Sequence, residues 1–253
     1  MIKGLDVFRH HFDDYTDRYV LIGGVAASLV MEEAGLDFRA TKDLDLVLIV
    51  EAMDAEFGQH FWQFIQDGGY EIRERSGGKP QFYRFQKPTN PGFPVMLELF
   101  SRIPDGLVLS VDAHLTPIPI DEAMSSLSAI LLDNDYYQFI LAGVHVSDGI
   151  AWVREDRLIP LKANAWLDMI KRVAQGETID SQKVRKHLHD VLRLSQVLAP
   201  GTRIDLPVRV SDDLNQFLGL IVQENVEMKT LGLGKTNLAV IIDRISVAYG
   251  LTA

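Results

Sequence analysis

Residues 19–50, YVLIGGVAASLVMEEAGLDFRATKDLDLVLIV, decide how the rest of the chain is read. The run 19–22 is apolar and stops at Gly23-Gly24, the pattern of a strand ending in a tight turn. Residues 25–34 are rich in Ala, Leu, Met and Glu, all good helix formers. After Asp45 the chain is continuously apolar to residue 50, which predicts a strand buried on both faces. Thr41-Lys42-Asp43-Leu44-Asp45 opens that strand. The order is therefore strand, glycine turn, helix, strand.

Asp43 and Asp45 are two residues apart in a strand, so both side chains leave on one face. Neighbouring carboxylates repel unless a cation or a basic group lies between them. Magnesium takes hard oxygen ligands and fills its remaining positions with waters and substrate phosphates, and manganese suits the same donors. Gly23 and Gly24 let the backbone approach a phosphate closely, and the following helix offers N–H groups and its positive end. Ser28 lies about one helical turn further on. The pairing of a phosphate cradle with metal-binding acids points to nucleotide chemistry. Neither G-x-x-x-x-G-K-[ST] nor G-x-G-x-x-G occurs, so the P-loop and dinucleotide fingerprints are both missing. Read alone, D-L-D is equally a polar strand start with solvated acids.

A third acid would complete such a site. Glu98, in PVMLELF (94–100), is the outstanding candidate, because a charge inside an apolar strand is costly unless used or paired. Its plain alternative is an outward residue or a partner for Arg84 or Arg102. Asp112, in LSVDAHL (109–115), is the reserve candidate.

Composition narrows the classes. At 253 residues, 47% apolar and 24% charged, the chain can bury one large core or two modest ones. No uninterrupted apolar run approaches the length of a membrane span. The first residues, MIKGLDVFRHHFDDY, have no apolar signal core, so the cytoplasm is the expected compartment. The absence of cysteine excludes disulfides, thiolate zinc sites and a cysteine nucleophile. A net charge of −10 argues against bulk duplex DNA or anionic lipid as a partner, although Lys and Arg cluster between Lys171 and Arg193.

Outward from the opening stretch, the patterns predict a helix at 4–16 and another at 57–66 that ends at Gly68-Gly69. Strands are expected at 70–74, 81–85 and 95–100, the last two joined by the KPTNPG hairpin loop (87–92). A helix is expected at 121–132, then strands at 136–141 and 149–153. After about residue 156 the segments 161–173, 181–198, 211–225 and 238–249 all read as helices, with Ser211-Asp212-Asp213 as an N-cap group. The domain boundary falls near 154–159, giving domains 1–156 and 157–253.

The turn Gly23-Gly24, the motif Thr41-x-Asp43-x-Asp45 and the later strand acid Glu98 resemble the nucleotidyltransferase (polymerase beta-like) superfamily. LIPLKANAWLDMIKR (158–172) followed by KVRKHLHDVLRL (183–194) is similar to the two helical motifs of AbiEii-type nucleotidyltransferases, toxin-like members of abortive-infection toxin–antitoxin pairs. Lys162 matches the Lys of the first motif, and Lys186 and Asp190 match the outer positions of the second. Three positions depart from the pattern: Gly24 where Ser is common, Glu98 where Asp is common, and His187 in place of the inner Asp.

The resemblance implies an α+β nucleotidyltransferase fold with a mixed central sheet, followed by an all-helical C-terminal domain that closes the cleft. It implies transfer of a nucleoside monophosphate from an NTP, with Mg2+ or Mn2+ as cofactor. The acceptor stays open among tRNA, a protein and a small molecule, and an antitoxin is an expected partner. Asp43, Asp45 and Glu98 would hold the metal and carry catalysis, with Lys162 facing the phosphates. Gly23, Gly24, Ser28, Thr41, Lys186 and Asp190 would contact the nucleotide.

Each residue of the helical motifs also has a plain reading. Lys162 reads as a solvated lysine near a helix start, and Lys186 with Asp190 as an i, i+4 surface ion pair. His187 and His189 are too far apart in angle on a helix to chelate one ion together. Trp62, Trp152 and Trp166 read as packing residues, and Trp166, one turn after Lys162, could instead line the nucleotide pocket. Two further functions stay open. One is a degenerate member of the same fold that binds without catalysis. The other is a D-x-D glycosyltransferase, whose motif usually follows a longer nucleotide-binding half than the 42 residues before Asp43.

Overall fold

The structure is a computed structural model, and it describes residues 2–74, 80–108, 115–118 and 128–251. The chain forms two compact units, Met1–Leu29 with Phe38–Val153, and Val30–Asp37 with Arg154–Ala253. Strands and helices mix in the first unit and helices alone build the second, as the α+β reading expects.

In chain order the first part comprises α1 (Leu5–Phe12), β1 (Tyr19–Ile22), α2 (Gly23–Glu33), β2 (Asp43–Leu48), α3 (Ala55–Gly68), β3 (Glu71–Glu74), β4 (Pro80–Gln86) and β5 (Met96–Ser101). β6 (Leu115–Pro117), β7 (Ser128–Leu131), α4 (Asn134–Leu141), β8 (Val144–Ser147) and β9 (Ile150–Val153) follow. The nine strands form one mixed sheet in the order β3-β4-β5-β2-β1-β9-β8, with β7 beside β5 and β6 beside β7. β2 runs antiparallel to β1 and parallel to β5, while β4 and β5 form the expected antiparallel hairpin.

All four residues of β1 are buried, as suits a central strand covered on both faces. An aromatic core lies against it: Phe8 packs edge-to-face on Tyr19 and on Phe64, with centroids 5.2 and 5.7 Å apart. The Asp54 side chain caps α3 by accepting from Phe57 N at 2.8 Å. Gly69, at φ 58°, closes its other end.

α1 and α3 are also joined by two stacked imidazoles, His11 and His60, with centroids 3.9 Å apart. Each ring Nε2 hydrogen-bonds the other residue's carbonyl, and since a carbonyl only accepts, each Nε2 carries a hydrogen. Burial holds the His11 pKa below the usual value. The hydrogen bond to His60 and the charge of Asp67 oppose that shift, while the nearby His60 and His10 rings add to it. A histidine with a depressed folded pKa binds fewer protons folded than unfolded. Stability therefore falls as pH drops from about 6.5 towards that lower value. Urea midpoints measured from pH 7.5 down to 5.5 are expected to decline, and His11→Gln, whose amide still donates to the carbonyl, is expected to flatten the slope.

Two segments of the first unit differ in type from expectation. Residues 136–141 form part of helix α4 instead of a strand. Tyr136, Tyr137, Phe139 and Ile140 are buried at helical spacing, and the Asp133 side chain caps the start by accepting from Asp135 N. The aromatic content of the run suggests a strand, but its spacing belongs to a helix. Within the helix expected at 121–132, Ser128–Leu131 is instead strand β7, bonded to β5 on one side and β6 on the other. Residues 121–127 lie outside the described residues.

The second unit holds α5 (Glu155–Ala174), α6 (Ser181–Leu194), α7 (Val208–Ile221) and α8 (Leu238–Ala248), with α5 packed on α6 and α7. α7 starts at Val208, so Ser211-Asp212-Asp213 does not cap it. Val210, Leu214, Phe217 and Leu218 place one buried stripe from its first turn onward, and Asp213 accepts from Asn164 Nδ2 at 3.0 Å. Trp166 packs edge-to-face on Phe217 at 5.3 Å, a core position. Pro160 lies inside α5 and has no N–H to give the Asp156 carbonyl. The Tyr249 hydroxyl donates to that carbonyl instead, at 2.9 Å.

Candidate functional site

The parallel pairing of β2 with β5 sets Asp43 opposite Met96 and Asp45 opposite Glu98. Residues opposite one another in a sheet share a face. Asp43, Asp45 and Glu98 therefore stand together on one side, each half-buried. Leu44, Leu46, Leu97 and Leu99 fill the other side, none more than 1% exposed. The Asp-Leu-Asp-Leu start of β2 and the Leu-Glu-Leu of β5 thus separate an acidic face from an apolar one.

The same rung continues outward. β4 runs antiparallel to β5 and sets Arg84 opposite Glu98. Arg84 donates Nε to Glu98 Oε1 at 2.6 Å and Nη2 to the same oxygen. Among the described residues Oε2 of Glu98 has no hydrogen-bond partner. Arg102, the other candidate partner for Glu98, instead bonds Glu51 and Asp105.

On the inner side of the rung, Ile22 lies opposite Asp45, and the chain turns at once into α2. Gly23 has φ 71°, and a Cβ there would lie 1.8 Å from Asp45 Oδ2. A Cβ on Gly24 would lie 2.5 Å from Thr41 Oγ1 and 3.5 Å from the Arg39 guanidinium. The bare backbone of the turn is therefore the wall against which the Asp45 carboxylate, the Thr41 hydroxyl and Arg39 are placed. Arg39 was not among the residues picked out from the sequence. Its signal was a basic residue two positions before Thr41, in the loop that feeds β2. Ser28 is half-buried in α2, a turn beyond Gly24.

Asp43 and Asp45 suit a divalent cation. They are hard oxygen donors on one face, open to solvent in part, and no hydrogen bond or ion pair reaches the Asp43 carboxylate among the described residues. Glu98 as placed does not complete a set. One of its oxygens is held by Arg84, and among the described residues no three acid or imidazole groups converge on a metal position. Asp112, the reserve acid, lies outside the described residues.

Lys162, Lys186 and Asp190 belong to the second unit. Lys162 is only 5% exposed, so it is not a solvated lysine, and its Nζ is 3.1 Å from Oδ2 of the fully buried Asp190. The structure thus pairs Asp190 with Lys162 across α5 and α6, and the acid of the expected Lys186–Asp190 surface pair is a buried one. Lys186 is exposed on α6.

Fold and site together define an α+β protein whose mixed sheet presents two aspartates beside a glycine turn, with a helical unit after it. The chain is similar to a solved structure, an antigenic nucleotidyltransferase-like protein from Paracoccidioides brasiliensis. That likeness covers 95% of this chain and 98% of that one, at 14% identity and a TM-score of 0.49. No family model matches the chain, and no curated protein matches it. None of the described helices is long and apolar enough to cross a membrane.

Proposed function

We propose that the protein is a nucleotidyltransferase that moves a nucleoside monophosphate from an NTP to a hydroxyl or phosphate acceptor. The observation that supports this reading is the closeness of Asp45 to the glycine turn, where a Cβ on Gly23 would lie 1.8 Å from Asp45 Oδ2. Asp43 and Asp45 would hold a magnesium or manganese ion, whose chemistry is to neutralise phosphate charge during transfer. Gly23 and Gly24 present backbone to the phosphates at the start of α2, with Thr41 Oγ1 and Ser28 as further polar contacts. Arg39, next to Gly24, adds a guanidinium that matches phosphate geometry.

The toxin role rests on the resemblance of the two helical motifs. A small neighbouring reading frame whose product silences this protein would support the toxin reading. Incubation with each α-labelled NTP, magnesium and cell extract tests the reaction. Label should pass to an acceptor with release of pyrophosphate, and no transfer from any NTP would overturn the proposal. The Arg84–Glu98 pair favours a second reading, a nucleotide-binding protein without catalysis, for which NTP binding would be indifferent to magnesium.

A further inference from the structure

A single rung of the sheet sets four strands against one another: Arg84 on β4, Glu98 on β5, Asp45 on β2 and Ile22 on β1. Its side chains run from a guanidinium through two carboxylates to the glycine turn. Three acids on one half-buried face would repel strongly if none were compensated. The chain compensates Glu98 itself. Arg84 places two donors on a single oxygen of Glu98, and its side chain is 26% exposed while that of Glu98 is 13% exposed. Partial burial keeps the field of this guanidinium from being fully screened by solvent.

We infer that Arg84 is a resident counter-cation of the acidic face, competing with a divalent cation for Glu98 and making metal alone bind weakly. The inference rests on the nucleotidyltransferase reading of Asp43 and Asp45. Geometry supports competition over permanent blockade. Both Arg84 donors share Oε1, and Oε2 keeps its lone pairs on the face where Asp45 stands in register. An incoming polyphosphate offers Arg84 a bidentate partner of higher charge than one carboxylate. Glu98 is then released to the cation that the polyphosphate brings. Metal and nucleotide would therefore bind with positive coupling, and Arg84 would carry that coupling as a positioning residue.

The test is a titration of Mn2+ alone, followed by calorimetry and by the manganese electron-spin resonance signal. Arg84→Gln is expected to tighten Mn2+ binding about tenfold, since one positive charge leaves the immediate neighbourhood of the site. Arg84→Gln with Glu98→Gln is expected to lose that gain. Arg84→Lys keeps the charge and is expected to stay as weak as the parent chain. Unchanged or weaker binding in a folded Arg84→Gln protein would overturn the inference. So would tightening in Arg84→Lys, which decides the matter if the Gln variant does not fold. The underlying reading fails separately: Mn2+ binding that survives Asp43→Asn with Asp45→Asn would remove the aspartates from the site whatever Arg84 does.

Discussion

Asp43→Asn combined with Asp45→Asn is expected to lower magnesium-dependent nucleotidyl transfer by at least about a thousandfold, with the fold retained. Asparagine keeps the size and much of the hydrogen-bonding capacity of aspartate but removes the charge. Both positions open β2 on its acidic side and are half-buried, and the apolar side of the strand, Leu44 and Leu46, is untouched. The substitution also relieves repulsion among the three acids, so circular dichroism and melting should stay close to the parent. Pyrophosphate release measured with saturating NTP and the acceptor extract gives the readout. Activity within tenfold of the parent would show that the pair is an ordinary polar strand start.

The second large effect concerns stability. Lys162→Met is expected to cost about 3–5 kcal/mol, because it removes the ammonium that pairs with the buried Asp190 carboxylate. Asp190 is fully buried and its Oδ2 lies 3.1 Å from Lys162 Nζ, so the surviving charge would have little access to water. Such a loss is a large share of a typical domain's stability. The double variant Lys162→Met with Asp190→Leu is expected to recover most of it, since an apolar pair of similar volume often replaces a buried ion pair at little cost. Chemical denaturation midpoints of the three proteins check this. Transfer activity then separates two roles for Lys162. A refolded double variant that transfers normally leaves the lysine structural, whereas a folded but inactive one gives it a part in the chemistry.

The local features of the site were legible because they depend on neighbours in sequence. A period of two puts Asp43 and Asp45 on one face wherever β2 lies, and Gly23-Gly24 marks the turn because so few residues adopt φ 71°. Strand β1 begins and ends where its apolar run does. Pairing was not legible. Nothing near Glu98 states that β5 runs parallel to β2 in register with Asp45, nor that Arg84 and not Arg102 would be its partner. That choice depends on which strand flanks β5. The YYQFIL run misleads on composition, as aromatic residues suit a strand while their spacing suits α4. Tyr249 bonding the carbonyl left without a donor by Pro160 joins residues 93 apart, beyond the reach of any local pattern.

The pairing of Asp45 with Glu98 spans 53 residues of chain. During synthesis the two aspartates and the glycine turn leave the ribosome well before the strand that carries Glu98, and Arg84 emerges between them. A nascent chain therefore holds the parts of this face without the face itself. The face exists only after β5 has docked on β2, so truncated products that end before residue 96 are expected to lack the transfer activity proposed for it.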